Sequence, residues 1–233
     1  MIRRLTFVLG ALVGVLAGIA TFLLALYHRG RAFHARGTVC DGELTALDDT
    51  VGPRLAGRVR VRLSSASKPE NSPDPSILGM ALEIGGDQDL PLATFESFRR
   101  AAEATANTNI ADYLANQYAS VTPWRVGSAI VWFRAIPTAQ PPTTGTRTDR
   151  LEAAIAAGRA TFTLELRDGP GPDGALRAKI AELRLIARLP ADDDTFRISM
   201  LRTGRGLVPT GFRNGVRLVA YPASQLARRL RGA

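Results

Sequence analysis

The chain has 233 residues, 45% hydrophobic and 22% charged, the balance of a globular protein with a real core rather than of a disordered one. Its net charge is +9, but only Lys68 and Lys179 are lysines and the arginines are scattered without a block of five or six, so no nucleic-acid partner is expected. The single cysteine, Cys40, excludes an intrachain disulfide and a cysteine-based metal site.

The first element is an apolar run from Leu5 to Tyr27, 23 residues without a charge. At ~1.5 Å per residue it reaches across a hydrocarbon layer of about 30 Å. Arg3 and Arg4 precede it, and Tyr27, His28, Arg29 and Arg31 follow, as interfacial residues do. The run is longer than the core of a cleaved signal peptide, and no small-residue cleavage site is obvious, so an uncleaved anchor is favoured. A single N-terminal anchor usually leaves its domain on the exported side, although positive charge flanks both ends here. Gly10, Gly14 and Gly18 are spaced four apart, as in membrane helices that approach closely.

Beyond residue 30 the pattern changes. Gly57–Ser64 alternates polar and apolar with period two and reads as a half-buried strand. Residues 77–84, 128–135, 160–167 and 179–189 read as further strands. Residues 98–117 read as one or two helices and 149–157 as a short one. Residues 137–148 form a loop and 168–174 a hairpin-type turn. The stretch 214–230 reads as a helix that starts at Pro222 or kinks there. This order suits an α+β domain on an antiparallel, closed sheet, giving an anchor over residues 1–30 and one domain over 31–233.

Three segments carry candidate chemistry. Directly after the apolar run comes Arg31-Ala-Phe-His34-Ala-Arg-Gly37; the alternating strand ends Val61-Arg62-Leu63-Ser64; and the C-terminal helix contains Arg217-Leu-Val-Ala-Tyr221-Pro, with Arg228 seven residues after the tyrosine. On a helix, Tyr221 lies about 40° and Arg228 about 20° from Arg217, so the three share a face. An arginine one turn from a tyrosine stabilises its phenolate, which is the form that ligates a ferric haem. The plainer readings are an interfacial histidine, an edge strand with solvated arginines and an amphipathic basic helix. Asp192-Asp-Asp194 reads as a solvated loop, Cys40 as a buried strand residue, and Trp124 and Trp132 as core.

Taken together and in this order, the three segments resemble the haem catalases, which carry R-x-x-H-A-[KR]-G, a strand ending V-R-F-S, and R-x-F-x-Y-P on a helix with a further arginine. Leu78-Gly-Met-Ala-Leu82 and Ser120-Val-Thr-Pro-Trp-Arg-Val-Gly127 resemble two more segments of the short catalase-related proteins, so the likeness spans about residues 29–230. It implies a catalase-like antiparallel β-barrel with flanking helices and haem b as cofactor. His34 would be the general base on the peroxide side and Ser64 would orient its ring. Tyr221 would be the axial iron ligand, made phenolate by Arg217, and Arg31, Arg62 and Arg228 would pair with the propionates. The family is generally oligomeric, so a homo-oligomer is an expectation, weakened by the missing wrapping segment and C-terminal helical domain. Ala93 stands where the family has an asparagine that donates to peroxide. A methyl group cannot, which favours a peroxidase acting on hydrogen peroxide or on organic hydroperoxides, lipid hydroperoxides at the membrane included, over fast disproportionation. The alternative is a catalytically inactive catalase-fold module that binds at the membrane.

Overall fold

The computed structural model describes residues 2–28, 34, 37–66, 74–97, 100–140, 142–170, 174–190, 193 and 195–230. Helix α1 (Ile2–His28) leads into strand β1 (Gly37–Ala46), the single turn α2 (Gly52–Leu55), β2 (Gly57–Ser65), β3 (Leu78–Ile84), β4 (Gln88–Ala93), α3 (Ala101–Asn107), β5 (Tyr118–Ala119), β6 (Trp124–Val126) and β7 (Ala129–Pro137). Helix α4 (Arg147–Ala156), β8 (Thr161–Arg167), β9 (Leu176–Arg188), β10 (Leu207–Pro209) and α5 (Phe212–Leu230) complete it.

Eight strands close into an antiparallel barrel in the order β7-β5-β4-β3-β2-β1-β9-β8, with β8 returning to β7; β6 and β10 extend the sheet beyond β7. Period two sorts the strands' side chains. Val59, Val61 and Leu63 of β2, Leu78, Met80, Leu82 and Ile84 of β3, and Phe162 and Leu164 of β8 fill the interior. Arg58, Arg60, Arg62 and Ser64 alternate with them onto the outer face. Closure removes the unpaired edges that an open sheet would expose.

The five strands expected from alternation are present as β2, β3, β7, β8 and β9, and Cys40 lies buried in β1. The one or two helices expected over 98–117 need a correction: among the described residues of that range only Ala101–Asn107 is α-helical. Past it, the Asn116 side chain accepts from the Asn109 amide and donates to the Asn109 and Asp112 carbonyls. Asparagine and aspartate bond their own backbone and so outcompete helix there. Strand β4 escapes sequence reading because Pro91 sits inside it, paired with Ala81. Helix α5 runs unbroken through Pro222.

Helices α1 and α5 lie side by side and parallel. A Cβ built on Gly14 would meet the Val216 Cα at 3.1 Å, and one on Gly18 would meet Val219 Cγ1 at 3.2 Å and Ala223 Cβ at 3.5 Å. At Gly10 it would overlap the Phe212 carbonyl, and Gly215 of α5 is equally tight against the Phe7 carbonyl. The Thr21 hydroxyl donates to the Ala220 carbonyl at 3.3 Å. The glycine spacing read as a membrane signature is therefore spent within the chain, against α5.

Candidate functional site

One row of the outer barrel face is nearly bare of side chains. Register pairs Gly37 of β1 with Ser64 of β2, Ser64 with Gly79 of β3, Gly79 with Ala93 of β4, and Ala93 with Ala119 of β5. Because paired residues point to the same face, four small residues and one serine form a shallow floor. His34 lies on it. Its Nδ1 is 3.0 Å from Ser64 Oγ, and a Cβ on Gly79 would come within 2.9 Å of its ring and 3.1 Å of Ser64 Oγ. Gly79 is the device that admits the imidazole.

The histidine backbone is held as firmly as its ring. His34 has φ of +55°, the left-handed region, uncommon outside glycine. Its amide donates to the Ala66 carbonyl at 3.0 Å, and its carbonyl accepts from Arg62 Nη2 at 2.9 Å. Arg62, only 6% exposed, also donates from Nε to Asp193 Oδ1 at 2.5 Å. Asp193 Oδ2 accepts the Gly37 amide at 3.2 Å. So Asp193 and Arg62 latch both ends of the His34 turn to β2. The general-base role requires the tautomer in which Nδ1–H donates to Ser64 Oγ, so that proton exchange with a ligand falls to Nε2.

Helix α5 carries Arg217 and Tyr221. Its stripe Phe212, Val216, Val219, Ala223 faces α1. The opposite side is bonded to the barrel: Thr122 Oγ1 donates to Asn214 Oδ1 at 2.9 Å, Asn214 Nδ2 donates to the Pro123 carbonyl at 3.1 Å, and Gln225 Nε2 donates to the Ile198 carbonyl at 2.7 Å. Tyr221 is about half a turn from the α1 stripe and lies between Arg217 and Gln225 on the barrel-facing side. It is half-buried and shares no hydrogen bond with another described residue. Gln225 abuts the 195–205 segment, which lies on the outer face of β2–β4: the Ser199 amide donates to Asp89 of β4 at 2.6 Å, and Arg60 of β2 stacks on the Phe196 ring at 5.6 Å. Tyr221 and His34 thus sit on the same side of the barrel wall.

Of the residues singled out in the sequence, His34, Ser64 and Arg62 come together in one cluster, and Tyr221 and Arg217 share a face of α5. Arg217 is not spent on Tyr221: its Nη1 donates to Thr122 Oγ1 at 3.2 Å. Arg31 lies outside the described residues; Arg228 is in α5, but its side chain also lies outside them. Asp193, read as part of a solvated run, is instead a partner of buried Arg62; Asp192 and Asp194 are outside the described residues. Trp124 is core, against Phe133. Burial pushes the Cys40 thiol up to about 12, so it is inert, as a strand residue should be. Sequence reasoning missed Gly37, Gly79 and Asp193 as parts of the site. A glycine inside an apolar strand, as in Leu78-Gly-Met80, was the available signal.

Among the described residues no three His, Cys, Asp or Glu gather as a metal cluster. A haem asks the protein for a single proximal ligand, so its fit rests on other features. The oriented His34–Ser64 pair and the barrel-facing tyrosine suit it. Two arginines that would serve it, Arg62 and Arg217, are engaged elsewhere. No family model matches the chain, and no curated protein matches it.

Proposed function

We propose that this chain is a membrane-attached haem protein of catalase-like type that reacts with hydrogen peroxide or organic hydroperoxides. The observation that carries the reading is His34, held at φ +55° with Nδ1 3.0 Å from Ser64 over the Gly79 gap; Tyr221 on α5 would be its counterpart across a bound haem. A non-glycine residue kept in a left-handed conformation by three separate bonds is backbone strain that a merely solvated histidine would not retain. Ferric haem b, when bound, would supply the redox chemistry of peroxide O–O cleavage.

The chain's own residues would do the rest. Tyr221 would ligate the iron as phenolate, a form Arg217 favours from one turn away once its bond to Thr122 is exchanged. Arg31, Arg62 and Arg228 are the candidates for the propionates, by bidentate guanidinium–carboxylate pairing. His34 would take the peroxide proton on Nε2 and return it to the leaving oxygen, with Ser64 fixing the tautomer. Ala93, two strands from Ser64 in the same row, offers no donor to peroxide, which favours hydroperoxide reduction over fast disproportionation. For location, the charge-free run taken by itself favours one pass with the domain on the exported side; that arrangement needs α1 to part from α5.

The test is the absorption spectrum of the detergent-purified, haem-supplied protein. A high-spin ferric spectrum lost or altered in Tyr221→Phe is the expected result. His34→Ala should keep the haem and lose peroxide reactivity. Turnover of hydrogen peroxide at catalase-like rates with no action on organic hydroperoxides would overturn the substrate assignment. The second reading, a catalase-fold module without catalysis, draws on Arg62 being already neutralised by Asp193. Absence of haem after reconstitution would establish it.

A further inference from the structure

We propose that α1 stays docked on α5 and lies in the plane of a membrane surface, so that the partner of its outer face is a lipid bilayer that it enters sideways and does not cross. The two faces of α1 differ in kind. The inner one is small, with Gly10, Gly14 and Gly18 against α5. The outer one is a continuous apolar stripe, Leu5, Leu9, Leu12, Leu16, Ile19 and Leu23, each 47% to 71% exposed.

What stands beside α1 decides its angle to the membrane. Helix α5 runs parallel to it from Phe212 beside Gly10 to Ala220 beside Thr21. That is about 16 Å of axis at the helical rise, half of a hydrocarbon layer of about 30 Å. Over the same stretch α5 carries Arg213, Asn214 and Arg217, and its far side is bonded to the barrel at Thr122, Pro123 and Ile198. Were α1 to span, these charged groups and the barrel wall would sit at hydrocarbon depth, where charged side chains and lipid-facing irregular backbone are costly. Laid flat, the same packing offers lipid only the outer stripe and keeps α5 and the barrel in water. An in-plane helix sinks its apolar face about 5–10 Å, and its length is no obstacle. The chain's net charge of +9 adds attraction to an anionic surface. The inference rests on α1 meeting a membrane and is independent of haem.

The experiment uses the full chain with Cys40→Ala, added to phosphatidylcholine–phosphatidylglycerol vesicles. Nitroxide labels are placed singly at Leu5→Cys, Leu12→Cys, Leu16→Cys and Leu23→Cys, and depth is read from collision with oxygen and with a water-soluble nickel chelate. The expected result is one shallow depth at all four sites, within about 5 Å, the radius of a helix. In the bound protein a Gly18→Cys/Ala223→Cys pair should oxidise to a disulfide, since the two Cβ positions are 3.5 Å apart. A profile deepest at Leu12 and Leu16 and shallow at Leu5 and Leu23, with the disulfide lost, is a span and overturns the proposal. So does mutual broadening of labels that remain in water, the mark of a second copy on the stripe. Failure to bind vesicles at all would remove the membrane reading itself.

Discussion

Gly79 has no side chain because His34 occupies that space. Gly79→Ala would place a methyl within 2.9 Å of the ring, so the imidazole would be displaced from its seat beside Ser64. We expect a stability loss of about 1–3 kcal/mol, unchanged haem content and a peroxide reaction slowed as far as in His34→Ala; stopped-flow kinetics beside thermal melts would check it. Arg62→Ala removes the cation beside the partly buried Asp193 carboxylate and the donor to the His34 carbonyl. Breaking a buried pair from one side costs about 3–5 kcal/mol, less the share that solvent screens at Asp193, measurable as a shifted urea midpoint with the slope unchanged. Asp89 shows a different electrostatic signature. Its Oδ2 accepts the Ser199 amide and lies 2.9 Å from Arg202 Nε, while its buried Oδ1 has no hydrogen-bond partner. Burial pushes its carboxyl up to about 7 from an ordinary 3.8, outweighing the Ser199 amide and Arg202. The folded state therefore holds a proton that the unfolded state has released. This contribution is fully present below about pH 4 and is lost as pH rises through 7. Asp89→Asn should flatten the pH dependence of stability in that window, and unchanged curves would show that Asp89 is ionised throughout.

At the scale of elements, the decisive contact is between α1 and α5. The two backbones approach so closely at Gly10 and Gly215 that a side chain there has no room, and at Gly14 a Cβ would already press on Val216 at 3.1 Å. Gly10→Leu should separate the helices; loss of the Gly18–Ala223 disulfide under oxidation would report it, with the barrel's circular dichroism unchanged. A separated α1 is free to cross a bilayer, whereas a docked one would carry Arg213 and Arg217 to the hydrocarbon, at about 2.5–3.5 kcal/mol each on insertion scales. Strand β2 shows how one element serves two ends. Val59, Val61 and Leu63 hold the core, and Arg60, Arg62 and Ser64, one step out of phase, build the outer site. A one-residue register slip would exchange the two sets and turn Arg60, Arg62 and Ser64 into the core.

For the whole molecule, the closed barrel is the frame, and the His34 cluster lies on its outer wall. A chain beginning at residue 37 retains all eight barrel strands but uncovers Val216, Val219, Ala220 and Ala223 on α5. We expect it to fold, to bind a hydrophobic dye and to self-associate, which size-exclusion chromatography with and without detergent would show. A monomeric, dye-free fragment would mean that α1 covers nothing that matters.

Five of the ten strands and the apolar run were legible because apolar strand patterns and an uncharged 23-residue stretch are local, and burying them needs no partner to be specified. Spacing and resemblance singled out His34, Ser64, Arg62 and Tyr221, and the first three come together in the fold. Closure of β7 on β8, the row that brings Gly37, Ser64, Gly79 and Ala93 into line, and the Asp193 latch were not legible, since each joins residues from 14 to more than 130 positions apart through register or a loop. The helix expected over 108–117 failed for the opposite reason: local side-chain bonds at Asn109 and Asn116 won over propensity. Sequence determined that α1 is apolar enough for a membrane. Only the tertiary structure decided that its glycine face is already taken by α5, because whether a small-residue stripe meets lipid, a second copy or its own chain depends on which surface the fold brings within reach.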